Sequence, residues 1–171
     1  MALAALGLSD WQAVTGRGTR ERLTLSNRHA HAGEIEMIDD AYNANPASIA
    51  AALDVLASAE ARRRVAVLGD MLELGQEEAQ CHAQLASNNH LLTVDVVHCV
   101  GPLMRHTWEA LPDAQQGQWF ETAAELAHKV RSYLRAGDIV LVKGSKGSAV
   151  SQVVTAIRET MRPKTERRGN D

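Results

Sequence analysis

Short apolar segments alternate with helical patterns along most of this 171-residue chain. The segments typical of strands are 34–39, 64–69, 94–101, 118–120 and 138–143. The segments with helical periodicity are 46–59, 76–92, 103–111, 123–134 and 149–161. Strands that alternate with helices are joined by right-handed crossovers and pair in parallel. The sequence therefore predicts an α/β fold with a Rossmann-like, doubly wound and mostly parallel sheet.

The segment before the first of these strands has a different pattern. Residues 22–28 alternate apolar and polar side chains, which predicts a short antiparallel hairpin with 34–39 and a connecting loop at 27–33. Before it, a short helix is predicted to end near Thr15, where a Gly-Arg-Gly sequence follows. The charged segment 162–171 is predicted to be a disordered tail.

Composition and charge exclude several classes of protein. The formal net charge is −3, so the chain lacks the positive field that binds a nucleic-acid backbone. It has no apolar run of about 18 residues and no secretory leader. Cys81 and Cys99 are too few for a disulfide framework, and neither they nor the histidines have metal-site spacing. These features predict a cytoplasmic protein with reduced cysteines and no metal ligands.

The octapeptide at 39–46 reads Asp-Asp-Ala-Tyr-Asn-Ala-Asn-Pro and joins a predicted strand to a predicted helix. Asn45 is a favourable helix cap, and Pro46 fits the first turn, where its absent N–H is not needed. Capping does not explain Asp39, Asp40, Tyr42 and Asn43. Because ligands of α/β sheets bind outside the carboxyl ends of the strands, these side chains predict a ligand site. Either Asp39 or Asp40 faces it, depending on where the strand ends.

Two further blocks place polar residues directly after an apolar strand. Residues 65–75 read Val-Ala-Val-Leu-Gly-Asp-Met-Leu-Glu-Leu-Gly, and residues 140–145 read Val-Leu-Val-Lys-Gly-Ser. Asp70 either caps a turn or faces a ligand. A lysine at the end of an apolar strand needs water, a carboxylate or a ligand, because an unpaired buried charge is costly. Lys143 is therefore predicted to bind either a ligand anion or Asp40.

The three blocks have the order and spacing of one known family. Over about residues 16–160 the chain resembles the C-terminal domain of the Mur ligases, which build the peptide stem of bacterial peptidoglycan. The Tyr-Asn-Ala-Asn-Pro form of the corner resembles the members that add D-alanyl-D-alanine to UDP-MurNAc-tripeptide. The resemblance implies an ATP-dependent amide-bond ligase. The alternative is another Mur ligase or a folylpolyglutamate synthase-type domain.

The resemblance also implies roles for individual residues. The residues implied to bind the nucleotide are Arg17, Tyr42, Asn43 and Asn45. The residues implied to bind the amino substrate are Asp40, Asp70, Lys143, Ser145 and Lys146. For Arg17 the alternative is a solvated linker residue. Lys146 stands where the family often has arginine, so it lacks the fork that binds a carboxylate through two parallel hydrogen bonds. No catalytic residue and no metal ligand is implied on this chain.

The phosphate-binding loop of such a ligase is not found in this sequence. Residues 144–148 read Gly-Ser-Lys-Gly-Ser, which does not have the spacing G-x-x-x-x-G-K-[ST]. ATP and Mg²⁺ are therefore expected to be held mainly by a central domain, of which residues 1–15 are interpreted as the trailing edge. Residues 16–33 are the expected seam and hairpin, and 34–161 the expected C-terminal domain. The chain alone is expected to be an inactive monomer.

Two other classes of function remain open from the sequence. One is a stand-alone dinucleotide-binding module, although the G-x-G-x-x-G sequence typical of that class does not follow the first strand. The other is a non-catalytic interaction domain, whose partner would cover an exposed apolar face.

Overall fold

The computed structural model describes residues 16–25 and 33–161, which form one sheet with helices on both faces. The strands are β1 (Thr19–Leu25), β2 (Gly33–Asp40), β3 (Arg63–Gly69), β4 (Val96–Val100), β5 (Gln116–Phe120) and β6 (Asp138–Lys143). The helices are α1 (Pro46–Ala57), α2 (Glu78–Leu85), α3 (Met104–Ala110), α4 (Ala123–Tyr133) and α5 (Ser151–Met161). Short 3-10 turns occur at Gly75–Glu77, Leu91–Thr93 and Lys146–Ser148. The predictions for 1–15, 26–32 and 162–171 lie outside the described residues.

The strand order in the sheet is β1-β2-β6-β3-β4-β5. Neighbouring strands pair in parallel, except that β1 pairs antiparallel with β2, with Thr19 opposite Asp39. The predicted α/β class, the mostly parallel sheet and the antiparallel edge are therefore confirmed. The first strand begins at Thr19, before the predicted start at residue 22, and the predicted end at residue 28 lies outside the described residues.

Strand β6 lies between β2 and β3, and all six of its residues are buried. It is covered on both faces, which explains its continuous apolar sequence. One face packs against α4 and α5 through residues such as Leu126 and Ile157. The other face packs against α1, α2 and α3 through residues such as Leu53, Leu85 and Met104. The chain therefore has a core on each side of the sheet.

The connections after neighbouring strands leave on opposite faces of the sheet. The chain passes from β2 to α1 and from β3 to α2 on one face, and from β6 to α5 on the other. A crevice forms outside the carboxyl ends of parallel strands where the connections diverge in this way. The carboxyl end of β6, with the loops on either side of it, is such a place.

The predicted helix at 76–92 was too long. Helix α2 ends at Leu85, and Asn88 then starts a turn in which its side-chain oxygen accepts hydrogen bonds from the amides of His90 (2.9 Å) and Leu91 (3.2 Å). An asparagine side chain that bonds the backbone in this way competes with the helical pattern. The predicted strand at 94–101 is shorter for a related reason, because the amide of Val94 closes the same turn on Leu91.

Membrane-spanning helices and disulfides are both absent from the described residues. Across residues 16–25 and 33–161, no helix is both long and apolar enough to cross a membrane. Cys99 is buried and Cys81 is half-buried, and neither forms a disulfide. Burial raises the pKa of the Cys99 thiol.

Candidate functional site

A cavity of about 490 Å³ opens at the carboxyl ends of β2 and β6. Its volume lies in the range of small-molecule sites. The seam before β1 forms one wall, the exposed face of α1 forms another, and the corner after β2 lies between them. The lining residues are Gly16, Arg17, Gly18, Arg20, Ile38, Asp40, Tyr42, Asn43, Ser48, Ala51, Ala52, Val55 and Lys143.

Lys143 lies at the bottom of this cavity and is held by protein groups. Its Nζ donates to Oδ2 of Asp40 at 2.6 Å and to the carbonyl oxygen of Asn43 at 2.9 Å. Only 2 % of the Lys143 side chain is exposed, whereas 23 % of the Asp40 side chain is exposed. The ammonium therefore has the carboxylate partner that a buried cation requires. The sequence predicted that Lys143 binds either a ligand anion or Asp40, and the structure shows the ion pair with Asp40.

The two neighbouring acids Asp39 and Asp40 point to opposite faces of the sheet, as successive strand residues do. The buried carboxylate of Asp39 accepts a hydrogen bond from Arg158 at 2.9 Å and from the amide of Ala41 at 3.3 Å. Arg158 also pairs with Glu21 of β1. Asp40, and not Asp39, therefore lines the cavity.

Arg17 and Tyr42 meet at the mouth of the cavity. The Cζ atom of Arg17 lies 4.6 Å from the centroid of the Tyr42 ring, which is within the range of a cation–π contact. Next to them, Oδ1 of Asn43 accepts a hydrogen bond from the amide of Ala44 at 2.9 Å. The Asn43 side chain therefore has its NH₂ group left to donate to a ligand.

Asn45 and Ser145 bond other protein groups and do not themselves line the cavity. Asn45 caps α1, because its Oδ1 accepts from the Ser48 amide at 2.8 Å while Oγ of Ser48 accepts from the Asn45 amide at 3.0 Å. Oγ of Ser145 accepts from the Leu72 amide at 3.0 Å and donates to the Ala44 carbonyl at 3.3 Å. Ser145 therefore connects the loops that follow β2, β3 and β6.

Asp70 is buried behind the loop after β3. Its Oδ1 accepts a hydrogen bond from the Met104 amide at 2.7 Å, at the start of α3. Burial raises the pKa of the Asp70 carboxyl, and hydrogen bonds from the amides of Met104 and Leu103 oppose the shift. Gly101 has φ +106°, and a Cβ atom there would lie 2.4 Å from this carboxylate. The site thus requires glycine at 101 and fixes Asp70 between two strand ends.

The structure brings together five of the nine predicted site residues. These are Arg17, Asp40, Tyr42, Asn43 and Lys143. The other four do not line this cavity. Asn45 caps a helix, Asp70 and Ser145 are buried, and Lys146 is exposed on the loop after β6. Their predicted ligand contacts, like those of the first five, stay predictions.

Sequence reasoning missed several residues at the site. Arg20 and Val55 both line the cavity. Val55 follows Ala51 and Ala52 by four and three residues, which places the three side chains on one face of α1. This spacing is the signal that could have indicated a helical wall of the cavity. His82 was not predicted as a site residue, and it lies buried under the loop after β3, where its Nε2 accepts from the Met71 amide at 2.9 Å. No pattern in the sequence indicates that contact.

The described residues do not supply a metal site. Within 16–25 and 33–161, no group of three or more His, Cys, Asp or Glu side chains is placed to hold an ion. Asp40 is the acidic residue in the cavity lining, and it is paired with Lys143. This donor set does not fit Mg²⁺, which prefers several oxygen ligands.

Comparison with known proteins identifies the family. The family model described as "Mur ligase, glutamate ligase domain" matches residues 22–146. The chain belongs to the Mur ligase family. The predicted resemblance is therefore confirmed over most of the chain, including the corner after β2 and the strand that carries Lys143.

Two relatives of this Mur ligase domain carry the same name. The chain is 34 % identical over 155 residues to the UDP-N-acetylmuramoyl-tripeptide--D-alanyl-D-alanine ligase of Escherichia coli (strain K12), covering 90 % of this chain and 32 % of that protein. It is 29 % identical over 152 residues to the ligase of the same name from Rickettsia prowazekii (strain Madrid E), covering 89 % and 32 %. The Mur ligase domain thus spans about a third of the length of these relatives.

Solved structures share the fold. Crystal structure II of MurF from Acinetobacter baumannii superposes with a TM-score of 0.70 at 25 % identity, covering 89 % of this chain and 32 % of that one. MurF ligase from Thermotoga maritima, solved in complex with ADP, superposes with a TM-score of 0.69 at 20 % identity, covering 90 % and 33 %. The similarity extends beyond the 22–146 segment that the family model matches.

Proposed function

We propose that this domain works within an ATP-dependent ligase that adds D-alanyl-D-alanine to UDP-MurNAc-tripeptide in the cytoplasm, and that its cavity binds part of the nucleotide. The names of the relatives and the ADP complex of the Thermotoga protein support the reaction class. The observation that carries the proposal is the single cavity that gathers Arg17, Asp40, Tyr42 and Asn43.

The charges and surfaces of the cavity match the parts of a nucleotide. Arg17 and Arg20 face the cavity, and the carboxylate of Asp40 is already paired with Lys143. Although Arg20 also pairs with Glu36 at 2.8 Å, the Arg17 guanidinium faces the Tyr42 ring, and no carboxylate of the described residues pairs with it. Cationic guanidinium groups suit phosphate oxygens. An anionic group is therefore expected near the seam.

The opposite wall suits a planar apolar group. Ala51, Ala52 and Val55 present small side chains along α1, and the exposed ring of Tyr42 adds a flat surface. Between wall and seam, the half-buried carboxylate of Asp40 can accept from a hydroxyl group, and the NH₂ of Asn43 can donate to a ring nitrogen or an oxygen. The wall of α1 and the Tyr42 ring thus match a base, Asp40 and Asn43 match polar groups of the base and sugar, and the guanidinium of Arg17 matches a phosphate.

In the ligation, a carboxylate attacks the γ-phosphorus of ATP and releases ADP, which gives an acyl phosphate. An amine then attacks the acyl carbon, loses a proton and displaces inorganic phosphate, so that an amide bond forms. Phosphoryl transfer depends on positioning and on charge neutralisation. Arg17 is proposed to contribute to the charge neutralisation. The domain closes over the rest of the ligase and excludes water from the acyl phosphate. Because the described residues do not fit Mg²⁺, the ion and the phosphate loop are assigned to the rest of the ligase.

The amino substrate is assigned to the neighbouring rim between β6 and β3. Lys146 is exposed there, and the loop that carries it is joined by Ser145 to the loop after β3. An exposed ammonium suits the carboxylate of D-alanyl-D-alanine. The enzyme is proposed to act as a monomer, with the UDP-linked tripeptide bound by its other domains.

Replacing Arg17 with Gln is expected to weaken the binding of ADP to the 171-residue chain about tenfold, because a charge-assisted contact contributes about 1.5–3 kcal/mol when buried and less at an exposed site. The measurement is a chemical-shift titration with Mg·ADP and, separately, with D-alanyl-D-alanine. Amide shifts with ADP are expected at Arg17 and at residues 40–45. Shifts with the dipeptide are expected near Lys146.

The matched control is Arg22→Gln, on β1, the strand that directly follows Arg17, but outside the cavity lining. Its affinity for ADP should stay within about twofold of that of the wild type, since it removes the same charge at a distance from the site. If both variants lose the same affinity for ADP, the effect of Arg17 comes from the overall charge of the domain and not from a contact with the nucleotide. Shifts confined to another part of the domain would contradict the proposed nucleotide site.

A further inference from the structure

We propose that Lys143 is a positioning residue, whose ammonium fixes the corner formed by residues 40–43 for the nucleotide without contacting the nucleotide itself. The inference rests on the proposed function and assigns one residue of that site a different task from direct ligand binding. It also replaces the sequence-based expectation that Lys143 binds the amino substrate.

The burial of Lys143 argues against direct contact with a ligand. The residue is the last of β6, and its backbone lies in register with Asp40 on one side and Leu68 on the other. Two of its three N–H donors are used, by Asp40 and by the Asn43 carbonyl, and 2 % of the side chain is exposed. At 2 % exposure the ammonium presents almost no surface to a ligand while it keeps these two partners.

The two bonds of Lys143 determine how two other side chains meet the cavity. Oδ2 of Asp40 is held by the ammonium, so the exposed part of the carboxylate faces the cavity in one orientation. The bond to the Asn43 carbonyl fixes the backbone of the turn, and Oδ1 of Asn43 is fixed by the Ala44 amide. One ammonium thus orients both polar groups that the proposal assigns to the nucleotide. Such preorganisation raises affinity by lowering the ordering cost on binding.

The opposite face of the same strand end offers a comparison within the molecule. Arg158 holds Asp39 and Glu21, as Lys143 holds Asp40 and Asn43. Both cations secure the carboxyl end of β2 through a neighbouring acid, but Arg158 does not line the cavity. If the role of Lys143 were purely structural, Lys143→Met would loosen the corner without lowering the affinity for ADP. A positioning role predicts both changes together.

The test compares Lys143→Met with Arg158→Met in the full 171-residue chain. Amide hydrogen exchange is measured at temperatures where the two variants have the same stability, and Mg·ADP affinity is measured by calorimetry. In Lys143→Met we expect the Ala44 amide to exchange at least about tenfold faster than in Arg158→Met, and ADP to bind about tenfold more weakly than to the wild type. In Arg158→Met the ADP affinity should change by less than about twofold.

Each other outcome has a defined meaning. Unchanged exchange at Ala44 in Lys143→Met overturns the proposal. Weaker ADP binding with a corner as protected as in the wild type also overturns it, because Lys143 then contacts the ligand directly. If the wild type does not bind ADP, the proposed nucleotide site fails, and a corner loosened in Lys143→Met then shows only that Lys143 holds the backbone there. A loosened corner with unchanged ADP affinity overturns the positioning role and leaves the nucleotide site standing. If Lys143→Met does not fold, Lys143→Gln, which keeps a polar group in the same space, serves for the same comparison.

Discussion

Replacing Asp138 with Ala is expected to lower the free energy of unfolding by about 3 kcal/mol, because it breaks a buried ion pair and leaves one partner without a counter-charge. Asp138, at the start of β6, accepts from Nε of Arg63 at 2.9 Å and from Nη2 at 2.7 Å. It also accepts from the Arg135 amide at 2.7 Å. Since 17 % of the Arg63 side chain is exposed and can reach water, the lower end of the usual range applies.

Urea unfolding measured by circular dichroism tests this prediction. The matched control is Glu109→Ala, which breaks the exposed pair between Arg105 and Glu109 on α3. That change should lower the free energy of unfolding by about 0.5 kcal/mol or less, because exposed ion pairs four residues apart on a helix contribute no more than this. A second variant, Arg63→Met combined with Asp138→Ala, should recover part of the loss. A cost of Asp138→Ala as small as that of Glu109→Ala would contradict the assigned role of the pair.

Between pH 6.5 and pH 4 the domain is expected to lose stability on the order of 3 kcal/mol through His98. Burial, and secondly the nearby guanidinium of Arg63, lower the pKa of His98 from 6.5 to about 4. Its Nδ1 accepts a hydrogen bond from the Gln118 amide at 2.9 Å, which requires an unprotonated nitrogen. The folded chain therefore keeps His98 neutral over this range.

The direction of the effect follows from proton counts. Below pH 6.5 the unfolded chain binds a proton at His98, and the folded chain does not until pH falls to about 4. Acidification therefore favours the unfolded state across this window, with a slope of at most about 1.4 kcal/mol per pH unit for this one group. Above pH 6.5 the contribution of His98 is complete and constant.

Urea unfolding at pH 7, 6 and 5 measures this slope in three proteins. His98→Asn keeps an oxygen that can accept from the Gln118 amide, but it cannot titrate. It should be less stable at pH 7, since the ring contact with Tyr133 is lost, and should lose less stability on acidification. His106→Asn removes an exposed histidine and should keep the wild-type slope. The same slope in His98→Asn as in the wild type would exclude His98 as its source.

Features that depend on residues close in sequence were predicted well. The corner after β2 is an example, because Asn45 and Ser48 form the helix cap within three residues of each other. The alternation of strands and helices likewise needs the pattern of each segment alone, and it predicted the fold class. The same local view failed at Asn88, where the competing turn depends on the side-chain oxygen and not on apolar periodicity.

Contacts between distant segments could be predicted only as alternatives. Lys143 and Asp40 are 103 residues apart, and the sequence left open whether the lysine binds this acid or a ligand. Asp39 and Asp40 could not be separated until the end of β2 was known, because strand residues alternate between faces. The burial of Asp70 against α3 depends on packing between β3 and β4, which no local pattern encodes.

The hydroxyl group of Ser145 also has a consequence for engineering. It bonds the backbone of the loops after β2 and β3 while it belongs to the loop after β6. Energetic effects of substitutions that share a partner in this way are not additive. A loop after β6 transplanted alone from another family member would have to match the backbone of both neighbouring loops to keep these two hydrogen bonds. Transfer of all three loops together preserves them.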